Sequence, residues 1–134
     1  MKILLVIFIL FSKFVTAEVI DIDNRELSNL IEKDIKIVDV RTQNEWKSNG
    51  IIKGSILISL LDKKNKFIFE NWYEYFNKKI SKNEAVIFVC ALGVRSKFIT
   101  NLISKKKPDL KIYNLKKGIN NWIRSGNKIS KLSY

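Results

Sequence analysis

The chain reads as one α/β domain with a mainly parallel sheet. Three observations predict it. Short apolar, β-branched runs alternate with longer stretches at helical spacing, the pattern of successive βαβ units. The strongest strand candidate, Ala85-Val86-Ile87-Phe88-Val89, has no polar position, as a strand covered on both faces requires. A length of 134 residues, 46% of them apolar and 28% charged, suits one folded domain and leaves no room for two.

The elements follow in order. Val19 to Ile22 is a short strand, and Asp23 then caps a helix whose apolar positions are Leu27, Leu30 and Ile31. Ile35 to Val40 is a second strand. Thr42 followed by Glu45 is a capping-box pattern and starts a short helix. Ser55 to Leu60 is a third strand. Phe67 to Ile80, carrying Phe67, Phe69, Trp72, Tyr73 and Phe76, is a loop that feeds an aromatic-faced helix. Ala85 to Val89 is the fourth strand, and a helix from about Arg95 to Lys106 follows it with Phe98, Ile99, Leu102 and Ile103 on one side. Pro108 stops that helix, Leu110 to Leu115 alternates as a fifth strand, and Gly118 to Arg124 is a last short helix.

The first seventeen residues stand apart from this alternation. Lys2 precedes an unbroken apolar run from Ile3 to Phe11, and Val15-Thr16-Ala17 offers small residues before Glu18. That is the layout of a secretory signal peptide, so residues 1–17 are expected to be removed and residues 18–134 to form the domain. The alternative, an uncleaved anchor, needs about 20 apolar residues, and Lys13 interrupts the stretch too early. No stable membrane span is expected after cleavage, and the expected compartment is the bacterial periplasm.

The net charge of +12 comes mostly from lysine, since Arg25, Arg41, Arg95 and Arg124 are the only arginines. The lysines are scattered along the chain, which fits a solvated basic surface, so no nucleic-acid partner is expected. Two absences decide more. With no histidine, Ser-His-Asp and Cys-His hydrolase mechanisms and ordinary zinc sites are excluded. With one cysteine there is no internal disulfide, no Cys-x-x-Cys pair and no iron–sulfur cluster. The lone thiol, Cys90, is either a buried inert side chain or a reactive one.

Its position favours reactivity. In a parallel sheet the ligand sits beyond the carboxyl ends of the strands, and Cys90 directly follows the most buried strand and precedes a helix. A loop that curls round the sulfur turns backbone N–H groups inward, with the helix N-terminus behind them. Gly93 supplies a residue able to take positive φ, and Arg95 adds a planar fork of donors. Each of these effects stabilises an anionic sulfur. Arg95 is therefore expected to contact an anion directly, and Ala91, Leu92, Gly93, Val94 and Ser96 to line the substrate position.

Four separated segments carry a family resemblance. They are Ile37-Val38-Asp39-Val40-Arg41 with Glu45-Trp46, Gly50-Ile51-Ile52-Lys53-Gly54-Ser55, Cys90-Ala91-Leu92-Gly93-Val94-Arg95-Ser96, and Gly118 with Trp122 and Gly126. In that order they resemble the rhodanese (thiosulfate sulfurtransferase-like) family, from about residue 20 to 129. The second segment departs from the family pattern, with Ile51 and Lys53 where His and Pro are common.

The resemblance implies a five-stranded parallel sheet between helices, and sulfur transfer through a Cys90 persulfide. The donor would be a small sulfur-containing anion such as thiosulfate, or a persulfide. The acceptor would be cyanide, a thiol or a protein cysteine. No general base, metal or cofactor is implied. Asp39 and Arg41 would support the sheet end, and Trp46 and Trp122 belong to the core. The apolar loop residues Ala91, Leu92 and Val94 suit a donor less charged than thiosulfate. Two other readings stand beside this one: a phosphatase on the same fold, and a binding or thiol-sensor module. Cysteine-dependent phosphatases that resemble this fold have five residues between Cys and Arg, against four here.

Overall fold

The computed structural model describes residues 15–81 and 84–132. Five parallel strands form one sheet in the order β1-β5-β4-β2-β3, where β1 is Val19–Ile22, β2 Lys36–Asp39, β3 Ile56–Leu57, β4 Ala85–Val89 and β5 Lys111–Leu115. Among the described residues, five helices connect and cover them: α1 Asn24–Glu32, α2 Gln43–Asn49, α3 Phe69–Lys79, α4 Val94–Lys106 and α5 Gly118–Arg124. This is the parallel α/β architecture that the alternation of runs predicts, in the three layers that the family resemblance implies.

Alternation along β4 explains the layers. Val86, Phe88 and Cys90 point to one face, where Trp72 and Phe76 of α3 and Ile99 and Ile103 of α4 cover them. Ile87 and Val89 point to the other, against Leu27 of α1 and Ile119 and Trp122 of α5. Val86 to Val89 are all fully buried, each contributing about 1.5–3 kcal/mol of apolar transfer. On α3, Trp72 and Phe76 stack with ring centroids 5.3 Å apart, and Trp72 Nε1 donates to Ile58 O at 3.3 Å.

Most boundaries agree with the sequence to within a residue or two. Both capping boxes form, at Asp23 with Glu26 and at Thr42 with Glu45. The third strand is the exception. It is expected over Ser55 to Leu60, yet only Ile56–Leu57 pair in the ladder with β2. Beyond them the chain still bonds the end of β2, with Ile58 N–H on Asp39 O at 3.0 Å and Leu60 N–H on Val40 O at 3.1 Å. Burial of Ile58 and Leu60 pulls this edge segment off the regular ladder while its backbone stays satisfied.

The segment expected to be a signal peptide has residues 1–14 outside the described ones. Its last residue, Ala17, is buried, and its N–H donates to Ser104 O at 2.9 Å. Among the described residues, no helix is long and apolar enough to cross a membrane.

Candidate active site

Cys90 lies one residue past the end of β4, the middle strand of the sheet, and is 1% exposed. Two donors reach its sulfur. The Gly93 N–H lies 3.1 Å from Sγ, and the Ser96 hydroxyl donates to Sγ at 3.3 Å. Ser96 occupies the first turn of α4 and is fully buried, so it supports the sulfur from within and does not face the mouth. The N-terminus of α4 has no side-chain cap, which leaves its partial positive charge directed at the loop. Donors and dipole together favour negative charge on sulfur, whether thiolate or persulfide.

Two glycines give the loop its shape. Gly93 has φ +88, and a Cβ there would stand 2.0 Å from Lys116 O. Gly118 has φ +68, and a Cβ there would stand 2.2 Å from Ala91 O. Both close approaches press the loop onto the β5–α5 connection. The Ile119 N–H donates to Cys90 O at 2.9 Å and the Asn120 N–H to Ala91 O at 3.1 Å. The start of α5 therefore braces the carbonyls of the loop while α4 addresses its sulfur.

The outer rim is apolar. Leu92 is 63% exposed, Val94 72% and Phe98, one turn along α4, 49%. Beside them, Lys97 Nζ sits 3.1 Å from Asp21 Oδ1, which also accepts from Asn114 Nδ2 at 3.0 Å. Those bonds, together with Lys97 and Lys116 nearby, hold the Asp21 carboxyl below its ordinary range.

Arg95 differs most from its expected placement. Its fork is closed on Glu45: Nη1 donates to Oε2 at 2.8 Å and Nη2 to Oε1 at 2.6 Å. Glu45 is held from behind by Thr42, whose N–H and hydroxyl both donate to Oε2 at 2.9 Å. Chiefly through the Arg95 hydrogen bonds, with help from Thr42, the Glu45 carboxyl is held down at about 2. The same contact raises Arg95 above its ordinary value, and the charge of Cys90 acts on it in the same direction.

Asp39 and Arg41 form a separate, buried pair. Arg41 Nη2 donates to Asp39 Oδ2 at 2.7 Å and to Gly50 O at 2.8 Å, and its Nε spans both carboxylate oxygens at 3.0 and 3.1 Å. The arrangement ties the end of β2 to the end of α2. Arg41 Nη1 is buried with no hydrogen-bond partner among the described residues.

The structure thus gathers Cys90, Gly93 and Ser96 round one sulfur, sets Leu92 and Val94 at the rim, and turns Arg95 to Glu45. Sequence reasoning missed two participants. Glu45 was legible as a cap residue but not as the partner of an arginine 50 positions away. Gly118 was legible as part of a motif, but its contact with Ala91 is a tertiary fact.

Comparison with known proteins agrees with this geometry. The chain matches the Rhodanese-like domain family over residues 23–125. It is 40% identical over 78 residues to thiosulfate sulfurtransferase/rhodanese-like domain-containing protein 3 of Mus musculus, covering 54% of this chain and 49% of that one. An uncharacterized protein of Rickettsia prowazekii is 35% identical over 85 residues, 56% of this chain and 62% of the relative. The matched region thus spans less than two thirds of either curated relative. Among solved structures, the rhodanese-related protein of Thermoplasma volcanium superposes with a TM-score of 0.67 at 25% identity, covering 83% of this chain and 97% of that one. The family match takes in strands β2 to β5 and the Cys90 loop, and the chain belongs to the rhodanese-like domain family.

Proposed function

We propose that the protein is a sulfurtransferase in which Cys90 accepts a sulfane sulfur and passes it to a thiol or to cyanide. The observation that carries the reading is the pair of donors, Gly93 N–H and Ser96 Oγ–H, directed at the one thiol of the chain. In the first half-reaction the Cys90 thiolate attacks the outer sulfur of a donor such as thiosulfate. A new S–S bond forms, the donor's own S–S bond breaks, and sulfite leaves with the electron pair. In the second, an acceptor thiolate or cyanide attacks the outer sulfur of the persulfide and Cys90 departs as thiolate. Both leaving groups depart as stable anions, so the exchange needs no general base. Gly93 and Ser96 keep a hydrogen bond on the sulfur through both steps.

Intact mass spectrometry tests this. Thiosulfate or a persulfide donor should add the mass of one sulfur atom, which reductant removes, and Cys90→Ser should gain nothing. A Cys90→Ser protein that still moved sulfur at the wild-type rate would sink the reading. Burial of Cys90 supports a second one, a binding or thiol-sensor module that keeps the fold. It predicts a folded protein that never gains sulfur. A phosphatase is less well supported, because only four residues separate Cys90 from Arg95 and Arg95 is held by Glu45.

Export belongs to the same proposal. Removal of residues 1–17 would forgo the Ala17 bond to Ser104 but leave the ladder between β1 and β5 intact. Terminal sequencing of protein from the envelope fraction of its own cells should begin at Glu18. Recovery of intact Met1 in the membrane pellet would favour an anchor instead.

A further inference from the structure

We propose that Glu45 sets the charge preference for the sulfur donor: by occupying both ends of the Arg95 fork, it makes Cys90 favour donors bearing at most one negative charge. This rests on the sulfur-transfer reading and names its substrate class as a thiosulfonate or an organic persulfide, not a dianion.

Arg95 is the only charged residue from Cys90 to Ser96. Its two terminal nitrogens lie 2.8 and 2.6 Å from the two oxygens of Glu45. Glu45 cannot swing aside without giving up the Thr42 N–H and hydroxyl, both at 2.9 Å, and with them the cap of α2. The other charges round the loop are also engaged. Lys97 is on Asp21, Asp39 and Arg41 neutralise each other inside, and Lys116 is exposed and screened by solvent while it acts on Asp21. Leu92 and Val94, at 63% and 72% exposure, make the outer face of the loop itself apolar. The cost of drawing an ion into such a mouth grows with the square of its charge, so a dianion is penalised far more than a monoanion.

The chemistry balances for the favoured class. The Cys90 thiolate attacks the outer sulfur of a thiosulfonate anion, one S–S bond forms as another breaks, and a sulfinate leaves with the electron pair. With an organic persulfide the leaving group is a thiolate.

Thiosulfate and methanethiosulfonate present the same outer sulfur and differ by one negative charge, so they serve as the probes. Loading of Cys90 is followed by mass, and steady-state turnover with cyanide as acceptor. The wild type should favour methanethiosulfonate in kcat/KM by about tenfold or more, the scale of one partly screened charge. Glu45→Gln should raise kcat/KM for thiosulfate about tenfold and change methanethiosulfonate by less than about threefold. Because Glu45 also caps α2, Val94→Lys provides a second readout from an exposed position by adding a cation at the rim, and it should raise the ratio of kcat/KM for thiosulfate to that for methanethiosulfonate. Equal use of the two donors by the wild type, or equal movement of both donors in both variants, overturns the inference alone. Failure of both donors to load Cys90 overturns the sulfur-transfer reading and the inference with it.

Discussion

Two arginine–carboxylate pairs flank the end of the sheet, and they differ in almost everything but chemistry. Arg41 and Asp39 are 0% and 1% exposed, two residues apart, with a closest contact of 2.7 Å. Arg95 and Glu45 are 40% and 27% exposed, 50 residues apart, with a closest contact of 2.6 Å. In the buried pair each charge compensates the desolvation of the other. In the outer pair water shares that task, so the pair adds little to stability but leaves a fixed, neutralised cation in the Cys90 loop. The same salt bridge is architecture in one place and site electrostatics in the other.

The largest effect should come from breaking the buried pair. Asp39→Asn leaves the Arg41 guanidinium uncompensated, with Nη1 already lacking a hydrogen-bond partner among the described residues, and should destabilise by about 3–5 kcal/mol. Urea unfolding followed by tryptophan fluorescence would measure it. The double change Asp39→Leu with Arg41→Met should recover most of that loss, because removing both charges removes the desolvation cost with them. If the double variant is as unstable as the single one, the pair's value lies in the Gly50 carbonyl contact and not in charge compensation.

The contrast also explains what the sequence could and could not disclose. Local signals were sufficient wherever the determinant was local. Ala85 to Val89 reads as a buried strand because every position is apolar, and Thr42 with Glu45 reads as a helix start because a capping box spans only four residues. The position of Cys90 followed from those elements. Ser55 to Leu60 looked like a full strand, but an edge segment with one neighbour pairs only as far as that neighbour and its own burial allow. The Arg95 fork looked open to an anion because nothing near it in sequence is acidic. Its carboxylate arrives from α2, after the sheet has brought β2 beside β4. The brace that α5 places on the loop is equally non-local: Gly118 is recognisable, but Ala91 as its neighbour is not.

The smallest effect is the stability of the outer pair, and acid can isolate it. Glu45 has an ordinary value of 4.5 and is held at about 2 in the folded protein, chiefly by the Arg95 hydrogen bonds. A carboxyl whose folded value is depressed contributes stability that is complete above its unfolded value and is lost as pH falls towards the folded one. The pair's contribution should therefore be full at pH 6, decline below about 4.5 and be nearly gone at about 2. Asp21, Asp62 and Glu84 are also held low and titrate over a neighbouring range, so the wild-type curve alone cannot single out Glu45. The difference between wild type and Glu45→Gln can, because those groups are common to both proteins. Solvent reaches both partners, so the difference at pH 6 should be only about 0.5–1 kcal/mol. The lost Glu45 side of the cap adds a share of similar size, since an amide accepts a weaker hydrogen bond than a carboxylate. Urea midpoints at pH 6, 5, 4 and 3 should converge between the two proteins as pH falls. A gap that stays constant to pH 3 would mean that ionised Glu45 adds nothing an amide cannot, and the distinction between the two pairs would then rest on burial alone.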